Sequence, residues 1–97
     1  MLTQNEKKQL KALSNKLDIK YQLGKNEISE SLIDMLNKAL VAHELIKIDV
    51  MKGATKPIME LSLDLSSLLH ADIVQVVGRV ITLYRPNKEK PKIKLKK

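Results

Sequence analysis

Ile19-Lys20-Tyr21-Gln22-Leu23-Gly24-Lys25-Asn26-Glu27-Ile28 is the stretch that decides the fold of this chain. Ile19, Tyr21 and Leu23 alternate with Lys20 and Gln22, which is the period of a short strand. Gly24 then permits a tight turn. From about Ile28 the apolar residues Ile28, Leu32, Met35, Leu36, Ala39 and Leu40 recur at helical spacing, to about His43. A strand that passes through a glycine and a lysine into an amphipathic helix presents unpaired N–H groups and the positive end of a helix dipole. Phosphate suits that environment. Gly24, Lys25 and Asn26 are therefore the first candidate binding residues. Asn26 and Ser29 are both able to cap the helix, and the spacing does not choose between them.

Downstream, Leu45–Val50 reads as a second strand, with Ile46, Ile48 and Val50 facing one way and Leu45, Lys47 and Asp49 the other. Residues 51–56, with Gly53, form a loop. Pro57 suits the first turn of a third helix, whose buried stripe is Ile58, Leu61, Leu65, Leu68 and Leu69. Val77-Gly78-Arg79-Val80 reads as a two-residue hairpin turn of type II′ joining strands 73–77 and 80–84, and Pro86 ends the sheet. Upstream, Thr3 caps a helix that runs to about Leu17. Leu10, Leu13 and Leu17 share one of its faces; Gln4, Lys8, Lys11 and Asn15 share the opposite one. The order α-β-α-β-α-β-β predicts an α/β fold, a two-layer sandwich on a four-stranded mixed sheet that closes with an antiparallel hairpin. Residues 1–86 form the expected domain and 87–97 a basic tail.

With 97 residues, 43% of them hydrophobic and 30% charged, the chain has the make-up of one globular domain. The absence of cysteine excludes disulfides, thiolate catalysis and Cys-based zinc sites, and fits a cytoplasmic setting. No apolar run approaches the roughly 20 residues of a membrane span. Lys7, Lys8 and Lys11 interrupt any signal-peptide core, so no membrane partner is expected. The net charge of +7 is uneven. Residues 1–25 carry +4, residues 26–84 carry −3, and residues 85–97 carry +6. An acidic body with basic ends points to a polyanion, although net charge also serves solubility. Tyr21 and Tyr84 are the sole aromatic residues, which argues against base stacking as the main binding mode.

Lys7, Lys8, Lys11 and Lys20 come to one edge if the first helix packs beside the first strand. Arg79 in the turn and Arg85 after the last strand can each fork two hydrogen bonds to phosphate. Catalytic constellations are missing. His43 and His70 lack acidic partners at metal-ligand spacing. Ser62, Ser66 and Ser67 lie on a helix without a nucleophile elbow, and Glu27 with Glu30 suits a helix N-terminus. No enzyme activity, cofactor or metal is expected.

Taken together, the residues resemble the CRM domain family in its single-domain bacterial, YhbY-like form. The matching pieces run through nearly the whole chain. They are Leu2-Thr3 with Lys7-Lys8 and Leu10-Lys11, then Gln22-Leu23-Gly24-Lys25-Asn26, then His43-Glu44-Leu45-Ile46-Lys47-Ile48. Val74-Gln75-Val76-Val77-Gly78-Arg79 and Leu83-Tyr84-Arg85-Pro86 complete the set. The resemblance implies a fold related to the C-terminal domain of translation initiation factor three. It also implies binding of ribosomal RNA in large-subunit (pre-50S) precursors as an assembly accessory factor; separately, a monomer is the simplest expectation. The alternatives are a general nucleic-acid-binding protein and a basic protein-interaction module. The family's G-x-x-G loop maps to Gly24-Lys25-Asn26-Glu27 and would lie against the RNA backbone, as a KH loop does. This chain departs at Glu27, where a carboxylate replaces the second glycine and would repel phosphate. It departs again at His70, where relatives carry glycine after the third helix, and in the C-terminal lysines, where many relatives are more acidic.

Overall fold

Thr3 opens the first helix by a reciprocal cap. Its hydroxyl accepts the Glu6 N–H at 3.1 Å, and its own N–H donates to the Glu6 carboxylate at 3.0 Å. The computed structural model describes residues 2–17, 20–23, 28–51, 56–87, 89 and 93, with the backbone alone at Lys20. In chain order the elements are α1 (Gln4–Ser14), β1 (Lys20–Leu23), α2 (Glu30–His43), β2 (Leu45–Val50), α3 (Ile58–Leu69), β3 (Asp72–Val77) and β4 (Val80–Tyr84). The first helix stops at Ser14 rather than at Leu17. Beyond it the chain tightens into i→i−3 bonds, Lys16 N–H to the Leu13 carbonyl and Leu17 N–H to the Ser14 carbonyl. Ser29 is the cap of α2: its hydroxyl accepts the Leu32 N–H at 3.1 Å. Pro57 stands just outside α3, as its cap residue.

The four strands form one sheet in the order β1-β2-β4-β3. The first two strands pair in parallel, and β4 runs antiparallel to both its neighbours, β2 and β3. Consequently β1, β2 and β3 all point the same way, with β4 inserted against them. This is the mixed α/β sheet that the element order predicts.

Two faces follow from the strand alternation. On one, α2 and α3 bury Leu36, Leu40, Leu61, Leu65 and Leu69 against Ile46, Ile48, Ile81 and Leu83 of the central strands. This is the expected helix layer over the sheet. The reverse face carries α1, whose Leu10 packs on Leu45, Val74 and Tyr84. Val74 reaches that face because a bulge shifts the β3–β4 register between Ile73 and Gln75. Three residues assigned to buried stripes lie outward instead: Leu13, Met35 and Leu68 are 38%, 43% and 54% exposed. Consecutive helix residues are turned by about 100°, so a contact arc centred on Leu36 and Leu40, or on Leu65 and Leu69, leaves such flanking residues at its rim.

Junctions complete the fold. Gly78 has φ +58 and Arg79 does not share a positive φ, as a type II′ turn requires. His70 ends α3 in the left-handed region, at φ 52 and ψ 43. Glu44, between α2 and β2, is fully buried at φ 65. Its carboxylate accepts the N–H groups of Asn87 and Ile93, both at 2.7 Å, and its carbonyl accepts that of Arg85. The chain after β4 is thus tied back to the α2–β2 junction.

Candidate nucleic-acid interface

Because β1, β2 and β3 are parallel, their carboxyl ends share one end of the sheet, the end where α/β proteins place ligands. Backbone bonds hold that end together. Met51 N–H donates to the Leu23 carbonyl at 2.9 Å, and Val50 N–H donates to the Arg79 carbonyl at 2.8 Å. The end of β1 therefore lies beside the end of β2, which on its other side meets the β3–β4 turn. Arg79 is exposed there. Gly24, Lys25 and Asn26 themselves, with Glu27, lie outside the described residues, as does the side chain of Lys20.

The first helix approaches the same surface from the reverse face. Lys8 and Lys11 are exposed on it and Lys7 is half-buried. Ser14, at its end, donates its hydroxyl to the Lys11 carbonyl at 2.8 Å and accepts from Gln75 Nε2 of β3 at 3.3 Å. That bond fixes the helix end over the middle of the sheet, where Asn15 lies beside Lys47 of β2. Lys47 is the register partner of Lys20. Among the described residues no carboxylate lies within ion-pair distance of Lys8, Lys11, Lys47 or Arg79; the ion pairs are Lys38–Asp34 and Lys56–Asp64, both elsewhere. An exposed cation without an internal partner keeps its full charge available to a phosphate.

Arg85 is placed differently. It stands at the opposite end of β4 from Arg79. Its guanidinium donates to the Asn37 side chain at 2.6 Å and to the Leu69 carbonyl at 2.8 Å, which ties α2 and α3 to the strand end. The structure does not bring it together with the other candidates. Lys47, by contrast, is not among the sequence candidates for binding, yet it belongs to this surface, with the buried Thr82 beneath it. The alternation of β2 places Lys47 on the reverse face; only the short reach of α1 leaves it open. Among the described residues no three His, Asp or Glu side chains gather in a metal-binding group, and no helix is long and apolar enough to cross a membrane.

Comparison with known proteins bears on the family and the fold. The CRS1 / YhbY (CRM) domain family matches residues 2–85. A Bacillus subtilis (strain 168) protein named "Probable RNA-binding protein YqeI" is 30% identical over 95 residues, covering 98% of this chain and 99% of its own length. A Haemophilus influenzae protein named "RNA-binding protein" is 34% identical over 89 residues, covering 91% of this chain and 89% of its own. The solution structure of a Staphylococcus aureus RNA-binding candidate superposes with a TM-score of 0.82 at 35% identity, over 99% of this chain and 100% of that one. By the extent of these matches and by its fold, this chain belongs to the CRS1 / YhbY (CRM) domain family.

Proposed function

We propose that this chain is a monomeric, cytoplasmic RNA-binding protein that acts on ribosomal RNA in large-subunit precursors, holding the RNA by phosphate and shape contacts without chemistry. The observation that carries the reading is the placement of Lys8, Lys11, Lys47 and Arg79, exposed or half-exposed and, among the described residues, without an ion pair, around the reverse face and the carboxyl end of the sheet. The names of the relatives support an RNA partner. Lys7, Lys20, Gly24, Lys25 and Asn26 join this surface in the proposal, and the lysines of residues 87–97 add charge to it. Arg85 contributes to the fold instead, since its donors are already given to Asn37 and Leu69.

A sucrose gradient of native lysate, run at low and at high salt, tests the reading. Co-migration with large-subunit precursors at low salt, lost at high salt, is expected, because lysines on phosphate displace condensed counterions. Residence in the free fraction at low salt would contradict it. Association that survives nuclease would indicate an acidic protein partner. Equal affinity for DNA would indicate a general nucleic-acid-binding protein.

A further inference from the structure

The open part of the reverse face holds a polar depression of about 240 Å³, lined by Asn15, Lys47, Gln75, Val77, Val80 and Thr82. At its floor the Thr82 hydroxyl is buried and, among the described residues, has no hydrogen-bond partner. A buried hydroxyl left unpaired is unfavourable, and native proteins rarely keep one without a ligand or water to satisfy it. The volume far exceeds the roughly 30 Å³ that one water occupies.

The polar atoms around Thr82 have fixed roles. Ser14 spends its hydroxyl proton on the Lys11 carbonyl, so it can only accept from Gln75. The Gln75 amide nitrogen is thereby engaged and its oxygen is left as an acceptor. Thr82 both donates and accepts; Lys47 donates with a positive charge. Val77 and Val80 supply an apolar wall, and no aromatic ring lines the site for stacking. Asp49 lies two register pairs beyond Lys47, opposite Val80, and does not line the depression.

We propose that this depression takes one ribonucleotide of the bound RNA, with its phosphate on Lys47 and its ribose 2′-hydroxyl between Thr82 Oγ1 and Gln75 Oε1. The inference rests on the RNA-binding reading above. A 2′-hydroxyl is both donor and acceptor, which matches the Thr82 and Gln75 atoms; a deoxyribose leaves both unpaired. Neighbouring phosphates of the strand have Lys11 within reach, one turn before Asn15 on the same helix.

The full chain and its Thr82→Val, Gln75→Leu and Lys47→Gln variants are to be titrated with a transcript of large-subunit ribosomal RNA and with single-stranded DNA of the same sequence. The unaltered chain is expected to prefer the RNA. Thr82→Val and Gln75→Leu are each expected to weaken RNA binding about threefold to tenfold, the worth of one hydrogen bond, and to leave DNA binding unchanged. Lys47→Gln is expected to weaken both by the same factor, because a phosphate contact does not distinguish the sugars. Among the described residues Thr82→Val loses no internal hydrogen bond and is the cleaner variant, whereas Gln75→Leu also gives up the bond to Ser14. Unchanged RNA-to-DNA ratios in both variants, with salt-dependent RNA binding intact, would overturn the nucleotide site alone. Failure of the unaltered chain to bind the RNA would overturn the RNA-binding reading and the site with it.

Discussion

His70 ends α3 at a backbone conformation that a β-carbon disfavours. A left-handed residue costs about 1–2 kcal/mol for a side chain, against which glycine loses about 0.4–1 kcal/mol of unfolded-chain entropy. His70→Gly is therefore expected to stabilise the fold by about 1 kcal/mol in urea unfolding; a loss of stability would show that the imidazole makes a contact worth more than the strain. Tyr84 supplies a pH dependence. Burial first, then the carboxylates of Glu44, Glu6 and Asp72, raise its pKa above the ordinary 10.0. The folded chain thus holds this proton at pH values where the unfolded chain releases it. The associated stability is complete below about pH 10 and is lost as pH rises through the folded value. Denaturation midpoints measured from about pH 9 upward should fall, and Tyr84→Phe should flatten that fall. At this scale the sequence was informative where a residue's cost is local, as at His70. Glu44 was not legible. A glutamate after a helix reads as solvated, and only the tertiary contacts of Asn87 and Ile93 give its carboxylate two backbone donors.

Elements were legible to the degree that their periodicity is strict. The alternation of β2 assigned Ile46, Ile48 and Val50 to one face and Leu45 to the other, and the two cores divide them in that way. Helical stripes read from apolar character alone are too wide, because it does not say where a contact arc ends; Met35 and Leu68 lie beyond it. The bulge in β3 had no sequence signal, since Ile73, Val74 and Val76 are equally apolar. Glu44 also makes a prediction about how elements are joined. Glu44→Gln keeps the shape but offers an amide where the Asn87 and Ile93 N–H groups need acceptors. It is expected to destabilise the fold by about 1–3 kcal/mol and to raise hydrogen exchange at Asn87 and Ile93 while the sheet amides stay protected. Unchanged exchange at those amides would mean that the segment after β4 is held by other contacts.

For the whole molecule, three parallel strands bring the exit of β1, the end of β2 and the β3–β4 turn to one end of the sheet, and α1 reaches partway over the reverse face toward it. The sequence identified the loop and the basic helix as candidates, and the order of elements implied the sheet. It did not show that α1 covers only part of the reverse face, because helix placement depends on the packing of Leu10 against Leu45, Val74 and Tyr84, residues far apart in the chain. That partial cover is what leaves Lys47 half-exposed, above the buried Thr82, as a surface for RNA. The central claim is that RNA is held there electrostatically by unpaired lysines. Its most direct test is the affinity for large-subunit ribosomal RNA between roughly 50 and 200 mM salt, compared for the unaltered chain and for the combined Lys8→Ala, Lys11→Ala and Lys47→Ala variant. A steep linear fall of log K with log salt is expected, and in the variant weaker binding with a slope smaller by about 2, near 0.7 for each lost phosphate contact. A flat salt response in the unaltered chain, or a variant with an unchanged slope, would contradict it.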